Sequence, residues 1–280
     1  MTWNEMQPLL RDACLDTLFM VWWSAVWTVV GGLPLGILLY LTDRGGLLRN
    51  VVVNKVVGAV VNIARSVPFI ILIVWLIPFS RMVIGTSIGP SAAVVALAIG
   101  AIPFFARLVE SALREVDGGL IEAVQSMGGG TWTIIFKVLL PQALASLVAA
   151  LTTTVIALIG YSAMAGAVGG GGLGQIAINY GYQRQEHGLM NITIVLLIVL
   201  VTIVQLAGDL AVRRLARRTG RQAAPGGLWR LRTRRTAQTP GTAADVPAQR
   251  TADEPESTDA PKTADAAKAA DEPKAAVEAP

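Results

Sequence analysis

The sequence is poor in the side chains that most enzyme and metal chemistry uses. It has one cysteine, Cys14, and one histidine, His187, in 280 residues. A single cysteine excludes an internal disulfide framework and a cysteine-based metal cluster, and a single histidine argues against a histidine metal site. No lysine follows a glycine, so the chain lacks the Gly-x-x-x-x-Gly-Lys-Ser/Thr loop that holds nucleotide phosphates. The chain therefore cannot hold nucleotide phosphates in that way.

Charged residues are also scarce, at 15% of the chain, whereas hydrophobic residues make up 53%. A helix crosses a hydrocarbon core of about 30 Å with roughly 20 apolar residues. The first apolar window follows no basic cluster and no small-residue cleavage site, so we predict a retained helix rather than a signal peptide. The sequence predicts an all-α, multi-pass protein of the cell membrane with five transmembrane helices. The five windows lie near residues 15–41, 57–79, 88–109, 146–168 and 190–212.

Lysine and arginine are distributed unequally between alternate loops, and basic loops stay on the cytoplasmic side. Three alternate segments hold one arginine each, namely Arg11, Arg81 and Arg184. The other segments hold Arg44, Arg49, Lys55, Arg107, Arg114, Lys137 and the arginines after residue 212. This bias predicts an N-terminus outside, a C-terminus inside and a cytoplasmic loop over residues 110–145.

The C-terminal part has a different composition. Residues 213–235 carry nine arginines and no acid, whereas residues 241–280 carry nine acids and four bases. With few large apolar residues after Gly220, this part cannot bury enough surface to offset the entropy of ordering. We predict a transmembrane permease domain over 1–219 and a disordered cytoplasmic tail over 220–280. The arginines either bind anionic headgroups or fix the topology as a stop-transfer signal.

The predicted cytoplasmic loop holds the one amphipathic stretch among the spans, "EAVQSMGGGTWTIIFKVLLP", residues 122–141. Asp117 can cap a short helix that the three glycines end, and a second helix runs from Thr131 to Pro141. The apolar stripe of the first helix consists of Leu120, Ala123, Val124 and Met127. Such a helix either docks in the groove of a soluble partner or lies in the membrane interface.

The spacing in this loop follows the pattern Glu-Ala-Ala, three residues, Gly, nine residues, Ile, one residue, Leu-Pro. It is matched at Glu122, Ala123, Gly128, Val138, Leu140 and Pro141, with Val124 and Val138 as conservative departures. In this the chain resembles the permease subunits of binding-protein-dependent ABC importers. The resemblance implies that the loop is a coupling helix that contacts an ATP-hydrolysing subunit.

Two further stretches, residues 62–89 and "GYSAMAGAVGGGGLGQI" at 160–176, resemble the permeases of methionine-uptake ABC importers, and the likeness covers about residues 10–215. It implies a homodimer in membrane lipid, two ATPase subunits that bind ATP and Mg²⁺, and an external lipoprotein that captures D- or L-methionine. No cofactor, catalysis or nucleic acid is expected for this chain. The absence of an internal repeat also favours a homodimer with the pathway on its twofold axis.

Several residues are candidates for the pathway. Arg65 lies about 12 Å inside the second predicted span at helical rise, where it either pins a helix kinked at Pro68 or lines the pathway. Tyr161, Ser162 and Met164 lie near the outer end of span four. The resemblance implies that Met164 is a gate, although a methionine packed between spans is the alternative.

Two further expectations concern glycines. Gly32 and Gly36 indicate a close helix contact, and the glycines of 169–175 indicate a flexible turn that contacts the binding protein.

The alternative to an importer subunit is a stand-alone channel or proton-coupled transporter, which needs ionisable relay residues in its spans. The sequence offers only Arg65, Arg107 and Asp209 for that role.

Overall fold

Helices account for almost all of the residues that the computed structural model describes, which are 3–218 without 44 and 49. No strand occurs among them, so the all-α prediction is confirmed. The helices are α1 (Trp3–Thr42), α2 (Val51–Ser66), α3 (Phe69–Ile84), α4 (Pro90–Arg114), α5 (Gly118–Ser126), α6 (Thr131–Ile134), α7 (Leu140–Ala167), α8 (Gly172–Ile176) and α9 (His187–Arg218), with π-helical segments at Ile135–Leu139 and Ala177–Tyr182. The predicted tail over 220–280 and the domain boundary at 219 lie outside the described residues.

Four helical stretches are long and apolar enough to cross a membrane by themselves: Met6–Thr42, Pro90–Arg114, Thr131–Ala167 and His187–Arg217. Each overlaps one predicted window. The number of candidate spans is four, or five if α2 and α3 together count as one. We call the end of the bundle at which α1 and α4 end and α7 begins the loop end, and the opposite end the far end.

The second predicted span, 57–79, is wrong as one continuous helix. Helix α2 ends at Ser66, α3 begins at Phe69, and the two are bent by 105°. Pro68 explains the break, because proline cannot donate a backbone hydrogen bond and disfavours helical backbone in the residue before it. Val67 is accordingly extended, with φ −75° and ψ 124°. Arg65 therefore lies in the last turn of α2, beside a break, and not inside an unbroken span.

The helix that begins at Thr131 does not stop at Pro141 as predicted. It continues through the π-helical segment Ile135–Leu139 into α7. The amide of Leu140 donates to the carbonyl of Ile135, five residues back. A proline ring clashes with the carbonyl four residues before it in a regular helix, and the wider π turn accommodates Pro141 without ending the helix.

Helices α1 and α4 pack against each other at backbone distance. A Cβ atom added at Gly36 would lie 2.5 Å from the carbonyl oxygen of Ala106 and 2.6 Å from the Cβ of Val109. At Gly32 it would lie 2.9 Å from the ring of Phe105. The predicted contact through Gly32 and Gly36 is therefore present, with α4 as the partner.

The glycine-rich segment 169–175 is a turn only in its first part and is helical from Gly172 onward, while its contact with a binding protein stays a prediction. Helix α8 begins at Gly172, its Leu173 side chain is fully buried, and the Leu173 amide donates to the hydroxyl of Thr17 in α1 at 2.9 Å. Gly174 lies so close to the backbone of Ala163 in α7 that no larger residue fits. The glycines permit close packing between helices at the far end.

Candidate functional site

Helix α5 is the protruding element of the loop end, and its ends form as the sequence predicts. The side chain of Asp117 accepts a hydrogen bond from the amide of Gly119 at 2.9 Å, which caps the first turn. After the helix ends at Ser126, Gly128 has a φ of 79°, a conformation that glycine adopts without strain. The chain then turns back into α6.

The two sides of α5 differ in what they contact. Ile121 and Val124 are half-buried against the core cluster of the loop end, which includes Leu113, Val116 and Ile134. Val124 therefore does not belong to the exposed stripe, contrary to the prediction. The stripe consists of Leu120, Ala123 and Met127, of which Met127 is 78% exposed. Glu122 is exposed beside it.

The second half of the predicted motif is mainly structural. Leu140 packs against the same core cluster, whereas Pro141 is exposed at the first turn of α7. Next to these, Trp132 and Phe136 stack on each other with ring centroids 5.8 Å apart, and both are exposed. Sequence reasoning missed this pair, although two aromatic residues four apart on a helix indicate such a contact.

A buried carboxylate at the loop end was also missed. The side chain of Glu110 is 2% exposed, and its two oxygens bind the guanidinium groups of Arg107 and Arg114. Arg114 in turn lies 3.0 Å from a carboxylate oxygen of Asp43, just beyond α1. The spacing of Arg107, Glu110 and Arg114 at three and four residues could have revealed the cluster.

Polar contacts tie the other helices to the same end. Ser146 in α7 donates to a carboxylate oxygen of Glu115, which caps α4, at 2.6 Å. Asn54 in α2 donates to the carbonyl of Leu39 at 2.8 Å and to the hydroxyl of Thr42 at 3.2 Å, both in α1. Polar contacts therefore join α1, α2, α4 and α7 to one another at the loop end.

Arg65 is exposed at the break between α2 and α3. Its guanidinium carbon lies 5.8 Å from the ring centroid of Phe104 in α4. On the same side, Phe69 at the start of α3 stacks on Tyr161 of α7, with centroids 4.5 Å apart and planes at 12°. Met164, one turn after Tyr161, is 44% exposed.

The structure does not bring Ser162 to this surface. Its side chain is 1% exposed, and its hydroxyl donates to the carbonyl of Ile159 in its own helix at 2.7 Å. The predicted pathway residues therefore divide into two exposed residues, Arg65 and Met164, the half-buried Tyr161 and the buried Ser162.

A sequence model of one protein family, the binding-protein-dependent transport system inner membrane component, matches residues 32–221. The chain belongs to this family. The permease resemblance in the loop is thereby confirmed, and the chain is an inner membrane component rather than an enzyme.

Relatives of this permease agree with the narrower resemblance. The probable D-methionine transport system permease protein MetI of Vibrio cholerae is 53% identical over 213 residues, which cover 75% of this chain and 93% of that protein. The methionine import system permease protein MetP of Bacillus subtilis is 49% identical over 201 residues, or 72% of this chain and 90% of that protein.

Solved structures show the same fold. A chain of the MetNI methionine ABC transporter, in an inward-facing conformation, matches with a TM-score of 0.75 and 51% identity, over 77% of this permease and 99% of that chain. An amino acid ABC transporter matches with a TM-score of 0.62 at 22% identity, which supports the fold alone.

Proposed function

We propose that this permease forms the translocation pathway of an ATP-binding-cassette importer for methionine in its D or L form. The observation that carries the proposal is the 51% identity over nearly the whole of a chain from a methionine ABC transporter. The permease itself performs no covalent chemistry. ATP and Mg²⁺ bind to the partner ATPase, whose closure moves α5 and thereby the helices that are joined at the loop end.

We further propose five crossings, with the N-terminus outside and α5 in the cytoplasm. The bent pair supports this count, because α2 begins beside α1 at the loop end, where Asn54 binds Leu39, and α3 ends at the far end. There the hydroxyl of Ser80 donates to the carbonyl of Ala92, near the start of α4. The pair therefore carries the chain from one end of the bundle to the other as a single broken span.

The proposed assembly has two copies of the permease in membrane lipid, two ATPase subunits on the cytoplasmic side and a substrate-binding lipoprotein outside. The stripe of Leu120, Ala123 and Met127 supports an ATPase contact, because it is apolar and exposed. Ile121 and Val124 pack against the core cluster and thereby fix the position of α5. Glu122, Gly128, Leu140 and Pro141 complete the coupling loop. Arg65, Tyr161 and Met164 line the pathway, with Met164 as the gate, while Ser162 packs behind them.

The alternative of a stand-alone or proton-coupled transporter gains no support from the buried acid that sequence reasoning missed. Both carboxylate oxygens of Glu110 are occupied by the guanidinium groups of Arg107 and Arg114, whereas a proton relay needs an oxygen that is open to a proton donor.

The coupling proposal is tested by placing one charge on either side of α5. Met127→Asp sets a carboxylate in the exposed stripe, whereas Gln125→Asp sets it about half a turn away on the same short helix. Burying an unpaired charge at an interface weakens binding by about tenfold or more. We expect Met127→Asp to lose the co-purifying ATPase and ATP-dependent uptake of labelled methionine, and Gln125→Asp to retain both. An ATPase that binds both variants equally well would contradict the docking surface, and a wild-type complex that imports no methionine would contradict the substrate.

A further inference from the structure

We propose that Arg65 is the carboxylate-recognition group of the pathway, which binds the α-carboxylate of the transported amino acid halfway through the bundle. The inference rests on the proposed function, since it requires an amino acid as cargo. It adds the residue that recognises the cargo and the part of the cargo that is recognised.

The first step is the depth of Arg65. Its partner Phe104 is ten residues before Arg114 and fourteen after Pro90 in α4. At the helical rise, these intervals are about 15 Å and about 21 Å. The guanidinium therefore lies near the middle of the bundle, although α2 begins at the loop end.

The second step is what this exposed face can contact. A charged side chain near the middle of a bilayer is costly in contact with hydrocarbon, and such residues face water-filled cavities or the interior of a bundle. Arg65 is exposed in the single chain. The surface around it consequently borders a hydrated path or the second copy of the permease, and not lipid tails.

The third step is that the charge is unused. Among the described residues, no carboxylate lies within 4.0 Å of the Arg65 guanidinium, and no backbone carbonyl accepts a hydrogen bond from it. A residue that only pinned the kink at Pro68 would bond to such carbonyls. Arg114 shows the contrast, because its guanidinium is shared between Glu110 and Asp43. The contact of Arg65 with Phe104 involves the face of the aromatic ring, so its N–H donors remain available.

The fourth step is the surface beside the charge. Phe104 lies next to the guanidinium. The ring of Phe69, which stacks on Tyr161, lies against Gly100, one turn before Phe104 in α4, and Met164 is exposed one turn after Tyr161. An arginine binds a carboxylate through two parallel N–H donors, and aromatic and thioether groups suit an apolar side chain. Together they match an α-amino acid with an apolar side chain. Since cargo must also leave, the site has to be weak, which fits one exposed guanidinium rather than an enclosed pocket.

The experiment measures methionine uptake and ATP hydrolysis in the same proteoliposomes, with the full complex and the external binding protein. Arg65→Gln should lower the methionine moved per ATP by about tenfold or more, the factor expected when a hydrogen bond to a charged group is lost. Stimulation of ATP hydrolysis by the binding protein should remain. Arg65→Lys should give an intermediate ratio, because it restores the charge but not the paired donors. The control, Lys55→Gln, removes another exposed cation from α2 and should leave the ratio unchanged.

The outcomes separate this inference from the proposed function. A wild-type complex that moves no methionine with ATP overturns the proposed function and the inference with it. Wild-type import with an unchanged ratio in Arg65→Gln overturns the inference alone. If Arg65→Gln lowers uptake, stimulated hydrolysis and recovery of the complex all together, the inference is also overturned, because that result assigns Arg65 a structural role.

A second measurement keeps Arg65 in place, so it does not depend on the folding of an Arg65 variant. Phe104→Cys in a Cys14→Ser background carries one thiol next to the guanidinium. A water-soluble thiol reagent should modify it, and L-methionine should slow the reaction, whereas methioninol, which lacks the carboxylate, should not. No reaction in water, or equal protection by both compounds, would contradict carboxylate recognition.

Discussion

Glu110 is closed to solvent, and both of its carboxylate oxygens are paired with arginines of the same helix. Arg107 and Arg114 are 40% and 51% exposed at the side chain, so they remain hydrated while they cover the carboxylate. The contact of Arg114 with Asp43 extends the cluster to the end of α1. A pair of this kind fixes geometry more than it adds stability, since burial of the acid opposes the attraction.

Removing the charge of Glu110 should therefore destabilise the permease. Glu110→Gln keeps the size of the side chain but removes the carboxylate that binds Arg107 and leaves Arg114 with Asp43. We expect a loss of about 1–3 kcal/mol, at the lower end of the range for a broken buried pair because the arginines are half-exposed. Thermal unfolding of the purified complex measures it. Glu122→Gln, at an exposed position of α5, is the control, and equal unfolding temperatures for the two variants would contradict a structural role of the cluster.

Met164 allows a test of the gate. Met164→Ala shortens a side chain that is 44% exposed and leaves the buried face of α7 intact. If Met164 closes the pathway, methionine should leak several times faster from loaded vesicles without ATP, with normal recovery of the complex. Leu144→Ala changes a residue of similar exposure, 43%, near the other end of α7. Equal leak from both variants would assign Met164 to packing.

At the scale of elements, the contact between α1 and α4 is set by glycines. Gly36→Ala places a methyl group 2.5 Å from a backbone oxygen of Ala106, and backbone cannot rotate away as a side chain can. We expect a loss of about 1–3 kcal/mol, the usual cost of overpacking. In Gly58→Ala the nearest atom is 3.9 Å away, at Leu39, so this matched change within α2 should be neutral or stabilising. Thermal unfolding of both variants checks the difference, and a neutral Gly36→Ala would contradict the close approach.

The elements that the sequence predicted well are those whose signals are local. The Asp117 cap and the turn at Gly128 depend on neighbouring backbone, and both form as expected. Pro68 and Pro141 show the limit of local rules. Both are prolines in apolar segments, yet one separates two helices at 105° and the other lies within a continuous one. The difference lies in the preceding π-helical turn, which no pattern in the sequence marks.

The candidate site shows the same division. The polar and glycine-rich composition of residues 122–141 marked the loop, which the structure places between α4 and α7, but periodicity alone placed Val124 on the exposed stripe. Only packing shows that Ile121 and Val124 face the core while Leu120 and Met127 do not. Glu110 was missed because an acid between arginines near a helix end is typical of a solvent-exposed surface. Its burial depends on packing against α1, which the sequence pattern does not show.

At the scale of the whole molecule, the number of crossings decides which side of the membrane each loop occupies. The loop that holds α5 and the segment 183–186 lie on opposite sides of the membrane in either case, because α7 crosses between them. If the N-terminus is outside and the bent pair crosses once, α5 lies on the cytoplasmic side. If the pair enters and returns on one side, both loops change sides relative to the N-terminus. The proposed importer requires the first arrangement, because its ATPase contacts α5 from the cytoplasm.

Single cysteines at the two loops should distinguish these arrangements. In a Cys14→Ser background, Gln183→Cys and Gln125→Cys both place a thiol at an exposed position. A membrane-impermeant maleimide added to intact spheroplasts should label Gln183→Cys at once and Gln125→Cys only after the membrane is opened. We expect this result because Arg107, Arg114 and Lys137 lie near α5, and basic loops stay on the cytoplasmic side. Labelling of Gln125→Cys in intact spheroplasts would contradict a broken span that crosses the membrane, and an ATPase could then not reach the stripe of α5.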